Sequence, residues 1–308
     1  MSKLRVTNPE ISVEKLCELF GRTRQAYYQR LKYDYVEKSE ENVIIRMVRD
    51  YKESMGKLGA RKIWHLINSK EPGFVGRDRL FGIMASHGLL NPRRKRSIRT
   101  TWSASWLKRF PNLAQDVIPT ASNQLWVSDI TYIATSSGFL YLHLVTDAYC
   151  KLIIGWSLSR TLHASFTLEA LRMAIRHVNC DLTGLIHHSD RGCQYCSEAY
   201  VKLLQDNKIK ISMTQTGDPR DNPIAERVNG ILKTEWFDGN DFQGYEDAYA
   251  RVAEVINVYN TQRPHLSLNY QTPILASLQT GIQVHKWKNY YKSKNQQDEK
   301  NKILEMIQ

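Results

Sequence analysis

The chain has 308 residues, 42% of them hydrophobic, with a mean hydropathy of −0.47 and a formal net charge of +12. These values are typical of a globular protein, and no stretch approaches the roughly 18 apolar residues that a membrane span requires. The N-terminus lacks the apolar run of a signal peptide, so we expect a cytoplasmic protein whose five cysteines are reduced. The excess of basic residues favours a polyanionic partner.

The first predicted elements are two short helices within residues 12–32. Apolar residues of SVEKLCELFG recur at helical spacing, Gly21 can end that helix, and Thr23 can cap the next one, RQAYYQRLKY. Two short helices joined by a turn that contains glycine resemble a helix-turn-helix, so residues 1–37 are predicted to bind DNA. A helical hairpin that only packs remains the alternative.

Residues 38–92 predict a second helical module. Three helical patterns follow one another, ENVIIRMVRDYKES, GARKIWHLINS and GRDRLFGIMASHGLL, and Gly88 stops the last of them. Three helices of this size can form a winged-helix or homeodomain-like DNA reader. Arg77 and Arg79 open the third helix, where a recognition helix meets bases, and they are therefore candidate DNA-binding residues.

Residues 93–121 predict a basic linker. No acidic residue occurs between Asp78 and Asp116, whereas eight basic residues do. Trp102 and Trp106 are interspersed with these charges, which favours phosphate binding over a merely solvated linker. The candidate DNA-binding residues of this segment are Arg93, Arg94, Lys95 and Arg96.

The pattern changes to strands from residue 123. Three segments rich in β-branched and aromatic residues come first, and helical and strand patterns alternate after them. Residues 122–278 therefore predict an α/β fold, with a mixed five-stranded sheet flanked by helices in the element order of the ribonuclease-H-like fold. The all-α helix-turn-helix modules precede this core, and residues 279–308 predict a basic, polar tail.

Three acids of the predicted core are candidate ligands for two divalent metal ions. Asp129 lies in the middle of a predicted strand, Asp190 lies just past the end of another, and Glu226 is on a predicted helix. Mg²⁺ prefers oxygen ligands, and two Mg²⁺ ions together can drive phosphodiester transfer. Each acid alone could be an ordinary surface or loop residue, and spacing in a chain with 31 acids is weak support.

The helix that carries Glu226 has a well-marked start. Asn222 is a good N-cap, and Pro223 suits the first helical position. Glu226 shares one helix face with residues that could meet DNA, where a glycine permits close approach and a lysine can touch a phosphate. These residues are Asn229, Gly230 and Lys233. In isolation, a solvated face would be the simpler interpretation.

Two other groups of residues carry a weaker signal. His187, His188, Cys193 and Cys196 could suggest zinc, but one Cys-x-x-Cys beside a histidine pair is poor support, and packing is favoured. Asp147 is a possible fourth carboxylate, which we expect instead to end a strand in the core.

Four sequence motifs together carry a family resemblance. WVSDITYIA, HHSDRGCQY, GDPRDNPIAERVNGILKTE and YNTQRPH closely resemble the integrase core of bacterial insertion-sequence transposases. The best match is the IS-three family, in its second-reading-frame (orfB) product. The resemblance covers about residues 12–275, which is most of the chain.

The resemblance implies a transposase in which Asp129, Asp190 and Glu226 hold two Mg²⁺ (or Mn²⁺) ions and Lys233 contacts the transposon end. Water would free a 3′-OH at the end of the element, and that 3′-OH would attack another phosphodiester. Four residues match motif positions near the site without an assigned role. They are His188, Asn222, Arg263 and His265.

The resemblance also implies partners. These are double-stranded DNA, at the element ends and at the target, and further copies of the chain on that DNA, which would place the protein at the nucleoid. An upstream reading-frame product, fused by frameshifting or supplied separately, often completes the active protein of this family. The alternatives are a nuclease that cuts without joining and a DNA-binding regulator derived from a transposase. The three intact acids argue against the regulator.

Overall fold

The chain divides into two compact units in the computed structural model. The helical unit lies within residues 1–92, and the sheet unit combines residues 55–57 with residues of the range 93–308. The residues that the structure describes are 7–92, 110–178, 180–215, 221–239 and 242–283.

The helical unit contains four helices in its described residues. They are α1 (Val13–Leu19), α2 (Arg24–Met55), α3 (Ala60–Lys70) and α4 (Arg77–Ser86). The predicted turn before α2 is confirmed, because Gly21 has a φ of +59° and Thr23 Oγ1 accepts a hydrogen bond from the Ala26 N–H at 3.1 Å. The core of the unit is apolar, and its fully buried side chains include Val48, Leu58, Ile63, Ile67, Leu80 and Met84.

The prediction of two separate helices on either side of residue 37 is wrong, because α2 runs through that boundary without a break. Residues 34–43 contain neither glycine nor proline, so nothing in this segment ends a helix. Arg30 and Asp34, one turn apart, form an ion pair at 2.8 Å between Nε and Oδ1 that suits a continuous helix. The 32-residue helix therefore links the two predicted modules.

The sheet unit confirms the predicted mixed five-stranded sheet in the described residues. Its strands are β1 (Leu125–Thr135), β2 (Gly138–Asp147), β3 (Ile153–Ser159), β4 (Ile186–Ser189) and β5 (Lys210–Met213). Their order across the sheet is β3-β2-β1-β4-β5. The first three strands form an antiparallel meander, whereas β4 and β5 run parallel to β1. This arrangement puts β1 at the centre.

Helices follow the strands in the predicted order, as in the ribonuclease-H-like fold. They are α5 (Ala164–Val178), α6 (Glu198–Asp206), α7 (Pro223–Leu232), a π-helical turn (Lys233–Phe237), α8 (Tyr245–Thr261), a short 3₁₀ helix (Leu266–Leu268) and α9 (Pro273–Ser277). Helix α5 packs directly on β3 at Gly155, where an added Cβ would lie 2.1 Å from the Ala170 carbonyl oxygen. Only glycine permits this approach.

The prediction that the five cysteines form no disulfide is confirmed, because all five are free thiols. Residues 110–121 carry neither helix nor strand, while Arg93, Arg94, Lys95 and Arg96 lie outside the described residues, as does the tail from residue 284. In the parts of the chain that the structure describes, no helix is both long enough and apolar enough to cross a membrane.

Candidate functional site

Asp129 lies in the middle of β1, the central strand. One carboxylate oxygen, Oδ1, accepts a hydrogen bond from the Ile130 N–H at 2.8 Å. The other, Oδ2, accepts one from the Asn229 side-chain amide at 2.7 Å. The side chain is half-buried. Asp129 is therefore oriented by two neutral donors, one of them from α7.

Asp190 directly follows β4 and lies level with Asp129. The parallel register pairs Val127 with His188, so two further residues along each strand bring the two acids side by side. The Gly192 N–H donates to Asp190 Oδ1 at 3.1 Å. A Cβ at Gly192 would lie 3.1 Å from the same oxygen, so the predicted sharp turn needs a small residue here.

Glu226 lies in the first turn of α7 and is exposed. Pro223 opens the helix and Asn222 is the N-cap residue, as predicted. The Asn222 side chain does not cap the helix, however. Its amide donates instead to the Ser128 carbonyl at 3.1 Å. This bond fixes the start of α7 to β1, one residue before Asp129.

Asn229 shares the helix face of Glu226, as predicted, but its contact within the site is to Asp129. It lies one turn after Glu226 and is 6% exposed. Its amide nitrogen binds Asp129, and its oxygen, Oδ1, is buried without a hydrogen-bond partner among the described residues. Helical periodicity placed Asn229 on the face of Glu226, but the partner lies 100 residues away in sequence.

Asp129 and Asp190 have perturbed ionisation. Burial, and after it the charges of Asp190 and Glu226, raise the pKa of Asp129 from 3.8 to about 7, although the hydrogen bonds from Ile130 and Asn229 oppose this rise. Burial and the charge of Glu226 also raise the pKa of Asp190. Asp190 is partly open to solvent, where the like charge of Glu226 still disfavours ionisation of its carboxyl group and raises its pKa.

The three acids form an anionic cluster rather than a closed cage. In the described ranges, none of them forms an ion pair with a basic residue. The same ranges hold no group of three or more His, Cys, Asp or Glu side chains arranged to bind a metal ion. The cluster offers carboxylate oxygens, which are the ligands that Mg²⁺ prefers.

The candidate DNA-binding residues are spread over both units. Lys233 begins the π-helical turn, with its ammonium group 5.7 Å from the ring centroid of Tyr132 on β1. Arg77 is paired with Asp78 at 2.8 Å and Arg79 with Glu40 at 2.9 Å, all four side chains being well exposed. Exposed pairs of this kind contribute little stability, so both guanidinium groups can exchange them for a phosphate.

The histidine pair and Asp147 have protein partners. His188 bonds to Ser212 Oγ at 2.8 Å and donates to the Asp221 carbonyl at 3.0 Å, while His187 Nε2 bonds to Ser128 and Tyr200. Asp147 ends β2 in the core, as predicted. Its carboxylate accepts hydrogen bonds from three backbone N–H groups at 2.6–3.0 Å, those of Asn123, Tyr149 and Cys150.

Arg263 and His265 lie in a buried cluster with the π-helical turn. Arg263 donates two hydrogen bonds of 2.6 Å to the Glu235 carboxylate and a third of 3.0 Å to His265 Nε2. Its guanidinium carbon lies 5.8 Å from the centroid of the Tyr259 ring. These two motif residues therefore hold the segment that follows Lys233.

Comparison with known proteins matches the sheet unit to one family. Two models of the family described as integrase core domain match residues 119–219 and 207–273. Both ranges lie within the sheet unit, and together they include all three acids.

Two relatives and one solved structure illustrate the similarity. A Mycobacterium tuberculosis protein named for insertion sequence element IS986/IS6110 is 35% identical over 221 residues, which cover 70% of this chain and 79% of the relative. The transposase for insertion sequence element IS629 of Shigella sonnei is 30% identical over 74% of this chain and 76% of its own length. The HTLV-2 integrase catalytic core domain in complex with magnesium is 19% identical with a TM-score of 0.40, covering 52% of this chain and 99% of that chain.

Proposed function

Because the chain belongs to the IS-three family of insertion-sequence transposases, we propose that it cleaves DNA at insertion-sequence ends and transfers the freed 3′-OH to a second phosphodiester. Asp129, Asp190 and Glu226 are the proposed catalytic residues and the proposed ligands of two Mg²⁺ or Mn²⁺ ions. Asp129 comes from the central strand β1, and Asp190 directly follows β4, the parallel neighbour of β1. Glu226 comes from α7, the helix that Asn222 ties to β1.

The observation that carries this proposal is that no basic side chain of the described ranges is paired with the acids. Asp129 and Asp190 both have a raised pKa, and burial and neighbouring carboxylates are the causes. The hydrogen bonds to them come from neutral groups, the N–H groups of Ile130 and Gly192 and the amide of Asn229. Divalent cations would remove this repulsion and keep the acids ionised.

Bound divalent ions would stabilise both the attacking and the leaving oxygen of an in-line displacement at phosphorus. The protein residues hold the acids in place for that chemistry. Asn229 orients the Asp129 carboxylate, and the Gly192 N–H orients that of Asp190. Asn222 fixes the first turn of α7, and with it Glu226, against β1.

Basic side chains would hold the DNA. Lys233, one residue past the end of α7, is the proposed contact to the element end. In the helical unit, Arg77 and Arg79 are exposed near the start of α4 and are the proposed contacts to a neighbouring stretch of duplex. The proposal extends to the basic linker segment, whose members are Arg93, Arg94, Lys95 and Arg96.

The wider assembly is also part of the proposal. Two element ends have to be processed and joined in one event, which favours several copies of the chain acting together on double-stranded DNA. An upstream reading-frame product, fused or supplied separately, would complete the recognition of the terminal repeats.

A strand-joining assay tests the proposed chemistry. Labelled element-end DNA is incubated with the full chain and Mg²⁺, beside an Asp190→Asn variant and an Asp206→Asn variant as matched control. Asp206 is an exposed acid at the end of α6, away from the site. We expect joined products with the wild type and with Asp206→Asn, and none with Asp190→Asn or after removal of the metal by a chelator.

The other outcomes separate the alternatives. Metal-dependent cleavage without any joining would identify a nuclease. Equal DNA binding by all three proteins, with no cleavage or joining in any of them, would contradict the enzymatic proposal and favour a DNA-binding regulator.

A further inference from the structure

Tyr195 is a buried residue whose hydroxyl group has no evident structural use. Its side chain is 1% exposed, and its hydroxyl finds no hydrogen-bond partner among the described residues. A buried hydroxyl without a partner destabilises a fold, and phenylalanine would fill the same space without that cost. The hydroxyl therefore calls for a partner that it does not contact in this structure.

The position of Tyr195 points to the acids. Tyr195 belongs to the turn that follows Asp190, where its N–H donates to the Gly192 carbonyl at 3.1 Å. A Cβ at Gly192 would lie 3.1 Å from Asp190 Oδ1 and 3.5 Å from Cδ2 of the Tyr195 ring, so the carboxylate and the ring border the same glycine. A tyrosine phenol is protonated at neutral pH and can therefore donate a hydrogen bond.

The ring of Tyr195 is held by the core behind the site. It packs edge-to-face on Tyr200, with centroids 5.5 Å apart and planes at 81°. The Tyr200 hydroxyl is bonded to His187 Nε2 at 2.9 Å, and the same nitrogen is bonded to Ser128 Oγ at 2.8 Å. This chain of contacts ends one residue from Asp129. The ring is thus packed in the core against the sheet, with Trp126 of β1 and Tyr200 in the same apolar cluster.

We propose that Tyr195 is a positioning residue whose hydroxyl donates a hydrogen bond to the Asp190 carboxylate in the metal-loaded site. Among the described residues, one hydrogen bond reaches the Asp190 carboxylate, from the Gly192 N–H at 3.1 Å, so a second donor would fix the rotation of the carboxylate. Donors of this kind orient metal ligands, and their removal commonly costs 10- to 100-fold in metal affinity or activity. The inference rests on the proposed function, since it requires Asp190 to hold a metal ion.

The test uses Tyr195→Phe, which removes only the hydroxyl, and Tyr259→Phe as matched control. Tyr259 is also fully buried with an unpartnered hydroxyl, but it lies beside Arg263. Melting temperatures of the full chain are measured without metal and in a titration with Mn²⁺ or Mg²⁺. Strand joining is measured over the same range of metal concentrations. The Asp190→Asn variant shows how melting temperature and joining respond to metal when a proposed metal ligand is missing.

Without metal, we expect both variants to be as stable as the wild type or to melt about 2–4 °C higher, because each loses an unpartnered buried hydroxyl. With metal, the wild type and Tyr259→Phe should gain stability at the same concentrations, as expected when a ligand binds the folded state. Tyr195→Phe should need about 10- to 100-fold more metal for the same gain and for joining.

Two results would overturn the inference. One is a Tyr195→Phe protein that responds to metal like the wild type. The other is a Tyr195→Phe protein that melts lower than the wild type without metal, because the hydroxyl would then already have a partner, such as a buried water. If the wild type itself neither gains stability with metal nor joins DNA, the proposed function fails, which is distinct from a failure of Tyr195 alone.

Discussion

The buried pair of Glu235 and Arg263 gives a prediction whose size follows from its geometry. Two hydrogen bonds of 2.6 Å join the two side chains, which are 11% and 2% exposed. Arg263→Met would leave the carboxylate of Glu235 buried without its cation. Breaking such a pair from one side costs about 3–5 kcal/mol, a large share of the stability of an ordinary domain.

A double-mutant cycle separates the pair from its surroundings. Glu235→Gln removes the charge with little change of shape, so we expect the double variant Glu235→Gln/Arg263→Met to recover about 1–3 kcal/mol relative to Arg263→Met alone. Arg263→Lys should be nearly as damaging as Arg263→Met, because an ammonium group cannot make the two parallel bonds of a guanidinium.

Hydrogen exchange read peptide by peptide is the suitable assay. The chain has two compact units, so a single unfolding transition cannot be assumed for it. Peptides from the π-helical turn and from the second half of α8 report the local free energy of opening. A cost below about 1 kcal/mol for Arg263→Met, or a lysine variant as protected as the wild type, would refute the reasoning.

Two further predictions concern single side chains of the sheet unit. Asn229→Ala should slow single-turnover strand joining at least about tenfold, because Asp129 loses its orienting amide. The affinity for end DNA, measured by gel shift, should change little. Unchanged joining would show that the hydrogen bond is dispensable. Burial lowers the pKa of His143 from 6.5 to about 4. Between pH 6.5 and about pH 4 the unfolded chain therefore binds more protons than the folded chain. The free energy of unfolding should fall by up to about 3 kcal/mol as the pH falls through this range. Urea unfolding at pH 7 and pH 5 should show a smaller loss for His143→Gln than for the wild type, and equal losses would contradict this assignment.

The elements of the sheet unit could be predicted because their signals are local. The β-branched and aromatic residues of β1 and the Asn222–Pro223 start of α7 are read from neighbouring residues alone, and both elements are confirmed. The break near residue 37 failed for the complementary reason. The helical patterns on either side suggest separate modules, but only a residue unable to continue the helix would have ended α2 between them.

The contacts within the site could not be predicted, since they join residues far apart in sequence. Asn222 has the pattern of a capping residue, yet its amide reaches Ser128, 94 residues away. Asn229 lies on the predicted face, and only the packing of α7 against β1 shows that Asp129 is its partner. Periodicity gives the direction of a side chain, whereas the tertiary fold gives its neighbour.

Three carboxylates of the sheet unit show how differently the same group is accommodated. Asp147 is surrounded by three backbone N–H donors, and Glu235 is neutralised by a bidentate arginine. Both are satisfied within the protein. Asp129 instead meets neutral donors and two further acids, and burial, followed by the charges of those acids, raises its pKa. A fold that can neutralise buried acids elsewhere leaves this one uncompensated, and that difference favours a cationic ligand over a structural role for the cluster.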